Sequence, residues 1–162
     1  MKILSRLMLI ACLVLPFAAC TKAEGPVQTV KAPMAAPKTD DANAWRAYLQ
    51  DIVPRYMGGI TNPPYVYFLP GESTPDFQAQ YDRLAGKAKD DVGRGIVSGN
   101  LLAYGSPASA KMADLVVNAF KDVPAGSMKG VKVLFIGKAE DSDRVKAGVA
   151  ASGVDYTFVE AK

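Results

Sequence analysis

The chain has 162 residues, 49% of them hydrophobic and 22% charged, with a formal net charge of +3. It contains two cysteines and no histidine. The lack of histidine excludes every Ser-His-Asp catalytic set and any histidine-ligated zinc site. No run of Lys and Arg is long enough to follow a phosphate backbone, so no nucleic-acid partner is predicted.

The first nineteen residues have the composition of a secretory signal. Lys2 and Arg6 provide a cationic start, and residues 7–18 form an apolar run. This run is shorter than the ~20 apolar residues needed to cross a bilayer, which favours a cleaved signal over a membrane span. Phe17-Ala18-Ala19-Cys20 closes the run, and the stretch resembles the signal of bacterial lipoproteins. The resemblance implies cleavage before Cys20 and attachment of diacylglycerol to its thiol.

Two alternatives to lipidation at Cys20 follow from the same residues. Leu9-Ile10-Ala11-Cys12 also places a cysteine after small residues, but cleavage there leaves less than the roughly 7–15 apolar residues of a signal core. Ordinary secretion with cleavage near Ala19 is the second alternative. Under the lipoprotein resemblance, Thr21 in place of an aspartate after the cysteine implies the bacterial outer membrane, with the domain facing the periplasm.

Removal of the signal changes the composition of the remaining chain. Lys2 and Arg6 leave with it, so 17 basic residues stand against 16 acidic ones and the net charge falls to +1. Cys20 is then the single cysteine, which excludes structural disulfides, and its lipid excludes a cysteine nucleophile or a cysteine-ligated zinc. No cofactor is predicted.

The remaining chain divides into a tether and one domain. Residues 20–41 are rich in Ala, Pro and Lys, and such a segment buries too little apolar surface to offset chain entropy, so it is predicted to be a lipidated, disordered tether. Residues 42–162 number about 120, enough for a single core.

Apolar periodicity divides this domain into alternating helices and strands. Asp40 or Asp41 is available to cap the first helix, and Pro54 is expected to kink or end it. Thr74-Pro75-Asp76 and Ser106-Pro107 combine a capping hydroxyl with a first-turn proline, as helix starts do. The predicted elements are a helix over 42–57, a strand over 65–69, a helix from 74, a strand over 101–104, a helix from 106, a strand over 131–136, a helix from 141 or 142 to 152, and a strand over 156–159.

Strand–helix–strand repeated three times predicts parallel pairing, because the connections have room for crossovers and are too long for hairpins. The predicted fold class is α/β: a small three-layer domain with a four-stranded, mostly parallel sheet, helices on both faces and one extra N-terminal helix. Placing the two most apolar strands in the middle gives the strand order 2-1-3-4.

Three loops at the carboxyl ends of the strands are candidate binding sites. Ligands of such sheets bind there, near the point where the strand order reverses, and helix-start N–H groups can receive a phosphate or carboxylate. The candidate residues are Gly71, Ser73, Thr74, Gly105, Ser106, Gly137 and Lys138. The alternative is that glycine makes each turn and a hydroxyl caps each helix. None of the loops matches a phosphate-loop or dinucleotide fingerprint.

Acid–base and metal chemistry have weaker support. Glu72 and Asp141 are the carboxylates that a hydrolase at these loops would use. Glu140-Asp141-Ser142-Asp143 departs from the spacing of a calcium loop, and an acidic first helical turn explains it. Ser109-Ala110-Lys111 and Ser127-Met128-Lys129 lack the Ser-x-x-Lys spacing. No catalytic residue and no metal site is predicted.

Aromatic residues cluster in the N-terminal third of the domain, where they either form core or an exposed protein-binding face. The candidate interface residues are Trp45, Arg46, Tyr48, Arg55 and Tyr56. The predicted function is a non-catalytic, lipid-anchored interaction module of the cell envelope, similar to lipoproteins that act as assembly factors or inhibitors, with an envelope protein as partner. The alternative is a small-molecule or anion-binding protein, or a hydrolase, that uses the strand-end loops.

Overall fold

The structure, a computed structural model, describes residues 32–162. The predicted signal sequence and Cys20 lie outside the described residues. Helices and strands alternate along the described chain as α1 (Ala42–Arg55), β1 (Tyr65–Phe68), α2 (Phe77–Gly93), β2 (Leu101–Gly105), α3 (Ser109–Phe120), β3 (Lys132–Gly137), α4 (Ala139–Ala150) and β4 (Asp155–Glu160). None of the helices between residues 32 and 162 is long and apolar enough to cross a membrane.

All neighbouring strands of the sheet are parallel, which confirms the α/β class. The strand order is β1-β2-β3-β4, so the predicted order 2-1-3-4 is wrong. β1 lies at one edge, and β2 and β3 form the centre. The burial of the strands follows from these places, because every residue of β2 is buried while two of the four residues of β1 are exposed.

The strand order determines where the helices lie. Each connection moves one strand further in the same direction, so right-handed crossovers place all of their helices on one face. α2, α3 and α4 share one core on that face with Tyr67, Tyr104 and Phe135. Among the helices of residues 32–162, only α1 packs on the other face, which we name the α1 face, against Leu101, Ala103, Leu134 and Ile136. Because the order never reverses, the sheet has no switch point to locate a ligand.

The predicted helix starts are only partly correct. α1 begins as expected, with the Asp41 carboxylate accepting the Ala44 N–H at 2.6 Å, and it ends at Arg55 just after Pro54. α2 begins at Phe77, because Asp76 adopts a left-handed conformation with φ of 58° and separates Thr74 from the helix. α3 begins at Ser109 instead of Ser106, and α4 begins at Ala139 ahead of Asp141.

Residues 32–40, which we name the strap, lie beside α1 although the sequence assigns them to the tether. The Met34 N–H donates to the Asp51 carboxylate at 2.9 Å, and the Trp45 indole N–H donates to the Thr39 carbonyl at 3.0 Å. Ala36 is buried in the core of the α1 face. The compact unit accordingly begins at Ala32.

Candidate functional site

The carboxyl ends of β2 and β3 border a polar hollow of about 240 Å³, which we name the strand-end hollow. Three of the predicted ligand residues, Ser106, Gly137 and Lys138, line it together with Ser109 and the strap residues 37–40. Lys38 of the strap brings a second ammonium group to this hollow. The structure thus brings together Ser106, Gly137 and Lys138 from two loops and adds strap residues that the sequence assigns to the tether. Gly105, the other predicted residue of these loops, does not line the hollow and packs against Leu49.

The hydroxyl groups beside the strand-end hollow have structural partners. Ser106 is 1% exposed, and its Oγ accepts the Ala108 N–H at 2.9 Å. The Ser109 Oγ accepts the Lys138 N–H at 2.8 Å and donates to the Asp141 carboxylate at 2.6 Å. These bonds close the turn after β2 and fasten the start of α3 to the start of α4.

Of the two carboxylates considered for acid–base chemistry, Asp141 is hydrogen-bonded and Glu72 does not line the hollow. Asp141 is buried, and its second oxygen accepts a hydrogen bond from Arg144 at 2.8 Å. The hydrogen bond to Asp141 raises the pKa of the Arg144 guanidinium, so Arg144 stays positively charged. Glu72 is exposed in the loop after β1. Nowhere in residues 32–162 do three or more Asp, Glu, His or Cys side chains gather as a metal site would require.

The loop after β1 does not join the strand-end hollow. The Ser73 Oγ donates to the Asp40 carboxylate at 3.2 Å, and a side chain at Gly71 would overlap that carboxylate. The Thr74 N–H donates to the Gly71 carbonyl at 3.0 Å. Gly71, Ser73 and Thr74 therefore form a turn that holds the end of the strap.

The predicted interface residues divide between core and surface. Trp45 and Tyr48 are 4% and 2% exposed, and they pack edge to face with their ring centroids 5.7 Å apart. Arg55 bonds the Asp51 carboxylate at 3.0 Å and the Ala32 carbonyl at 3.4 Å, which holds the strap. Arg46 and Tyr56 lie on the surface. The aromatic cluster is therefore mainly the core that seats α1.

An apolar groove of about 370 Å³ runs between α1 and β1, and we name it the α1–β1 groove. It is lined by Arg46, Leu49, Gln50, Val53, Pro54, Pro64, Val66 and Phe68. Val66 is 47% exposed although it belongs to the sheet. The Arg46 guanidinium lies over the Phe68 ring, 4.9 Å from its centroid. Of the predicted interface, only Arg46 lines this groove, and the sequence reading missed Val66 and Phe68 because it placed β1 inside the sheet.

The two flanks of α1 differ in what covers them. At 3.6 residues per turn, Arg46, Gln50 and Val53 lie on one flank of the helix and Asp51 and Arg55 on the other. The strap is bonded to the Asp51 and Arg55 flank. The opposite flank opens into the α1–β1 groove. The strap therefore covers one flank of α1, and an apolar groove lies along the other.

No protein-family model matches this chain. Neither the curated protein sequences nor the solved structures contain a significant match. Its function has to be inferred from its own surfaces.

Proposed function

We propose that this chain is a non-catalytic binding module, anchored in the bacterial outer membrane by a lipid on Cys20, that holds another envelope protein on the α1 face of its domain. The α1–β1 groove is the observation that carries the binding role. Its walls are almost entirely apolar, with a single charged residue, Arg46, among the lining side chains. An apolar surface of this kind is typical of a protein-interaction site.

The energetics of the groove favour a protein partner. Burying apolar surface is worth roughly 25 cal/mol per Å², and Val66 and Phe68 supply that surface at the sheet edge. The groove lies between α1 and β1 and has a volume of about 370 Å³, so it can receive side chains that project from another protein. Arg46 adds a charge at its rim, where it favours one orientation of the partner.

The chemistry beside the strand-end hollow supports a binding role over a catalytic one. Ser109 and Asp141 are hydrogen-bonded to each other, and Asp141 is also paired with Arg144. A hydroxyl that donates to a charge-paired carboxylate lacks the free general base that a nucleophile needs. Glu72 lies in the loop after β1 and does not line the strand-end hollow.

A comparison of two exposed valines tests the binding role. Val66 lines the groove and is 47% exposed, whereas Val97 lies outside the groove and is 73% exposed. We expect tagged full-length chain to recover a stoichiometric protein from native envelopes, Val97→Asp to recover it equally, and Val66→Asp to lose it while its melting temperature is unchanged. Equal recovery by both variants, or recovery by neither the wild type nor Val97→Asp, contradicts the proposal.

A second candidate function is the binding of a small anion in the strand-end hollow, since Lys38 and Lys138 both line it. Titration calorimetry with inorganic phosphate distinguishes the two. Phosphate binding by the wild type that Lys138→Ala abolishes supports the anion site. Biological function that survives Ser106→Ala, Lys138→Ala and Glu72→Ala supports the interaction module.

A further inference from the structure

β1 presents main-chain hydrogen-bonding groups at the edge of the sheet. The Leu69 N–H donates to the Gly105 carbonyl at 3.4 Å. The main-chain N–H and carbonyl groups of Leu69, and of Tyr67 and Tyr65 at every second position before it, therefore point toward β2. The groups of Val66 and Phe68 point away from the sheet, because the direction alternates along a strand. No other described residue pairs with these groups, so within residues 32–162 this edge offers two N–H and two carbonyl groups.

Prolines limit this edge at both ends. The main-chain groups of residues 64 and 70 would point away from the sheet like those of Val66 and Phe68. Both positions are proline, which has no N–H to donate. Edges that are shortened in this way resist uncontrolled pairing. A segment of only a few residues can pair with Val66 and Phe68, so the edge suits a short extended peptide.

The side chains of the same two residues face the α1–β1 groove. Val66 and Phe68 line it from the sheet, opposite Leu49 and Val53 of α1. A strand added at this edge would send alternate side chains to the α1 face. An apolar residue at such a position reaches the groove. The strap already covers the other flank of α1, through a hydrogen bond to Asp51 and the burial of Ala36.

The charged residues beside the edge of β1 favour one kind of peptide. Arg46 lines the groove, and Arg83 and Lys87 line a second hollow on the other side of Phe68. Lys87 is paired with Asp91 at 2.5 Å, whereas Arg46 stacks on the Phe68 ring. None of the described residues that line these two hollows carries a carboxylate. The edge is therefore complementary to an acidic segment.

We infer that an extended, acidic segment of another envelope protein adds to the free edge of β1 as a fifth strand and places an apolar side chain in the α1–β1 groove. The inference rests on the proposed binding function and specifies its partner. The main-chain groups of Val66 and Phe68 provide the pairing, and Arg46 and Arg83 bind carboxylates of the segment.

Photo-cross-linking in native envelopes tests this pairing. The probe is p-benzoylphenylalanine at Gln50, an exposed residue on the groove, in the full-length chain; the matched control carries it at Lys111 on α3, outside the groove. Val66→Pro removes the Val66 N–H, which points away from the sheet, and leaves the hydrogen bonds between β1 and β2 in place. Val66→Thr is the control, because threonine keeps this N–H. We expect Gln50 to cross-link to one acidic segment of another protein, and Val66→Pro to lower the yield about tenfold, the effect of one lost main-chain bond.

Hydrogen exchange keeps the test decisive if Val66→Pro fails to fold. The amides of Val66 and Phe68 are expected to exchange rapidly in the free protein and slowly in the purified complex. Strand addition by an acidic segment is overturned if Gln50 cross-links to a second copy of this chain or to a segment without carboxylates. It is also overturned if Val66→Pro and Val66→Thr give the same cross-linking yield. Recovery of a partner by affinity purification without a cross-link at Gln50 overturns strand addition alone; recovery of none overturns the binding function as well.

Discussion

Tyr104 and Tyr67 stack face to face in the core, with ring centroids 4.6 Å apart and planes 9° from parallel. The Tyr67 hydroxyl donates to the Asp91 carboxylate at 2.9 Å. The Tyr104 hydroxyl is buried and has no hydrogen-bond partner within the described part of the chain. Burial raises the pKa of Tyr104 well above its ordinary value, so this unpaired group is neutral and its cost is that of lost hydration.

Tyr104→Phe is expected to raise the free energy of unfolding by about 1 kcal/mol, because it removes a buried polar group and keeps the ring. Chemical denaturation measures the change. Tyr67→Phe is the matched control, since it removes a bonded hydroxyl from the neighbouring ring, and it is expected to lower the free energy of unfolding by about 1–3 kcal/mol. A loss of stability in Tyr104→Phe equal to that in Tyr67→Phe would show that the Tyr104 hydroxyl has a partner.

Asp91 makes the stability of the domain sensitive to acid. Burial raises its pKa, but hydrogen bonds from Lys87 and Tyr67 and the charges of Lys87 and Arg94 outweigh burial, so the pKa lies below its ordinary value. The charged form therefore stabilises the folded state above the unfolded pKa of about 3.9, and this contribution is lost as the pH falls through the folded pKa.

Asp91→Asn is therefore expected to lower the free energy of unfolding at neutral pH, by an amount that shrinks below about pH 4. Denaturation of both proteins across the acid range measures this. Asp143→Asn, at an exposed position on α4, is the control and should follow the wild type. A difference between Asp91→Asn and wild type that is the same at every pH would exclude this role for the carboxylate.

At the scale of elements, α1 is seated on β2 through Gly105. A Cβ at this position would lie 2.5 Å from a Leu49 methyl group, so Gly105→Ala is expected to destabilise the domain by about 1–3 kcal/mol. Leu49→Ala in the same chain removes that overlap, and the double variant should be more stable than the sum of the two changes predicts. Gly86→Ala, at an open position within α2, should instead stabilise by up to about 1 kcal/mol.

The sequence predicts which helices and strands exist better than it predicts the residues at which they begin. Apolar and aromatic runs locate all four described strands, and the Asp41 cap locates the start of α1. The start of α3 is displaced because Ser106 binds the amide of Ala108 in the preceding turn. The start of α4 is fastened by Ser109, 32 positions from Asp141. A bond between residues so far apart leaves no mark in local spacing.

At the scale of the whole molecule, the strand order could not be predicted from apolarity. β1 contains Tyr65, Val66 and Phe68 and resembles a central strand in composition, yet these side chains face solvent or the groove. β2 is fully buried with smaller residues, because α1 lies directly upon it. The candidate groove was missed for the same reason, since it exists only where β1 is an edge. The strand-end residues Ser106, Gly137 and Lys138 were within reach of sequence reasoning because parallel strands end together.

The predicted lipid anchor would tie the domain to the membrane through a short segment of chain. Residues 21–31 join Cys20 to the compact unit that begins at Ala32, and a chain of this length spans at most about 40 Å. A diacyl anchor supplies two chains, and each buried methylene contributes about 0.8 kcal/mol, so retention in the membrane should be effectively permanent. We propose that the partner of the groove is a component of the same membrane or of the envelope beside it.

Cys20→Ser is accordingly expected to move the protein from the membrane fraction to the soluble fraction, whereas Cys12→Ser should leave it in the membrane. Ultracentrifugation of salt-washed membranes followed by immunoblotting measures the distribution. Because Cys20 lies outside the compact unit that begins at Ala32, the released protein should keep its melting temperature, which shows that release does not come from unfolding. Sedimentation of Cys20→Ser with washed membranes would exclude the lipid anchor, and release by Cys12→Ser alone would move the lipid to that cysteine.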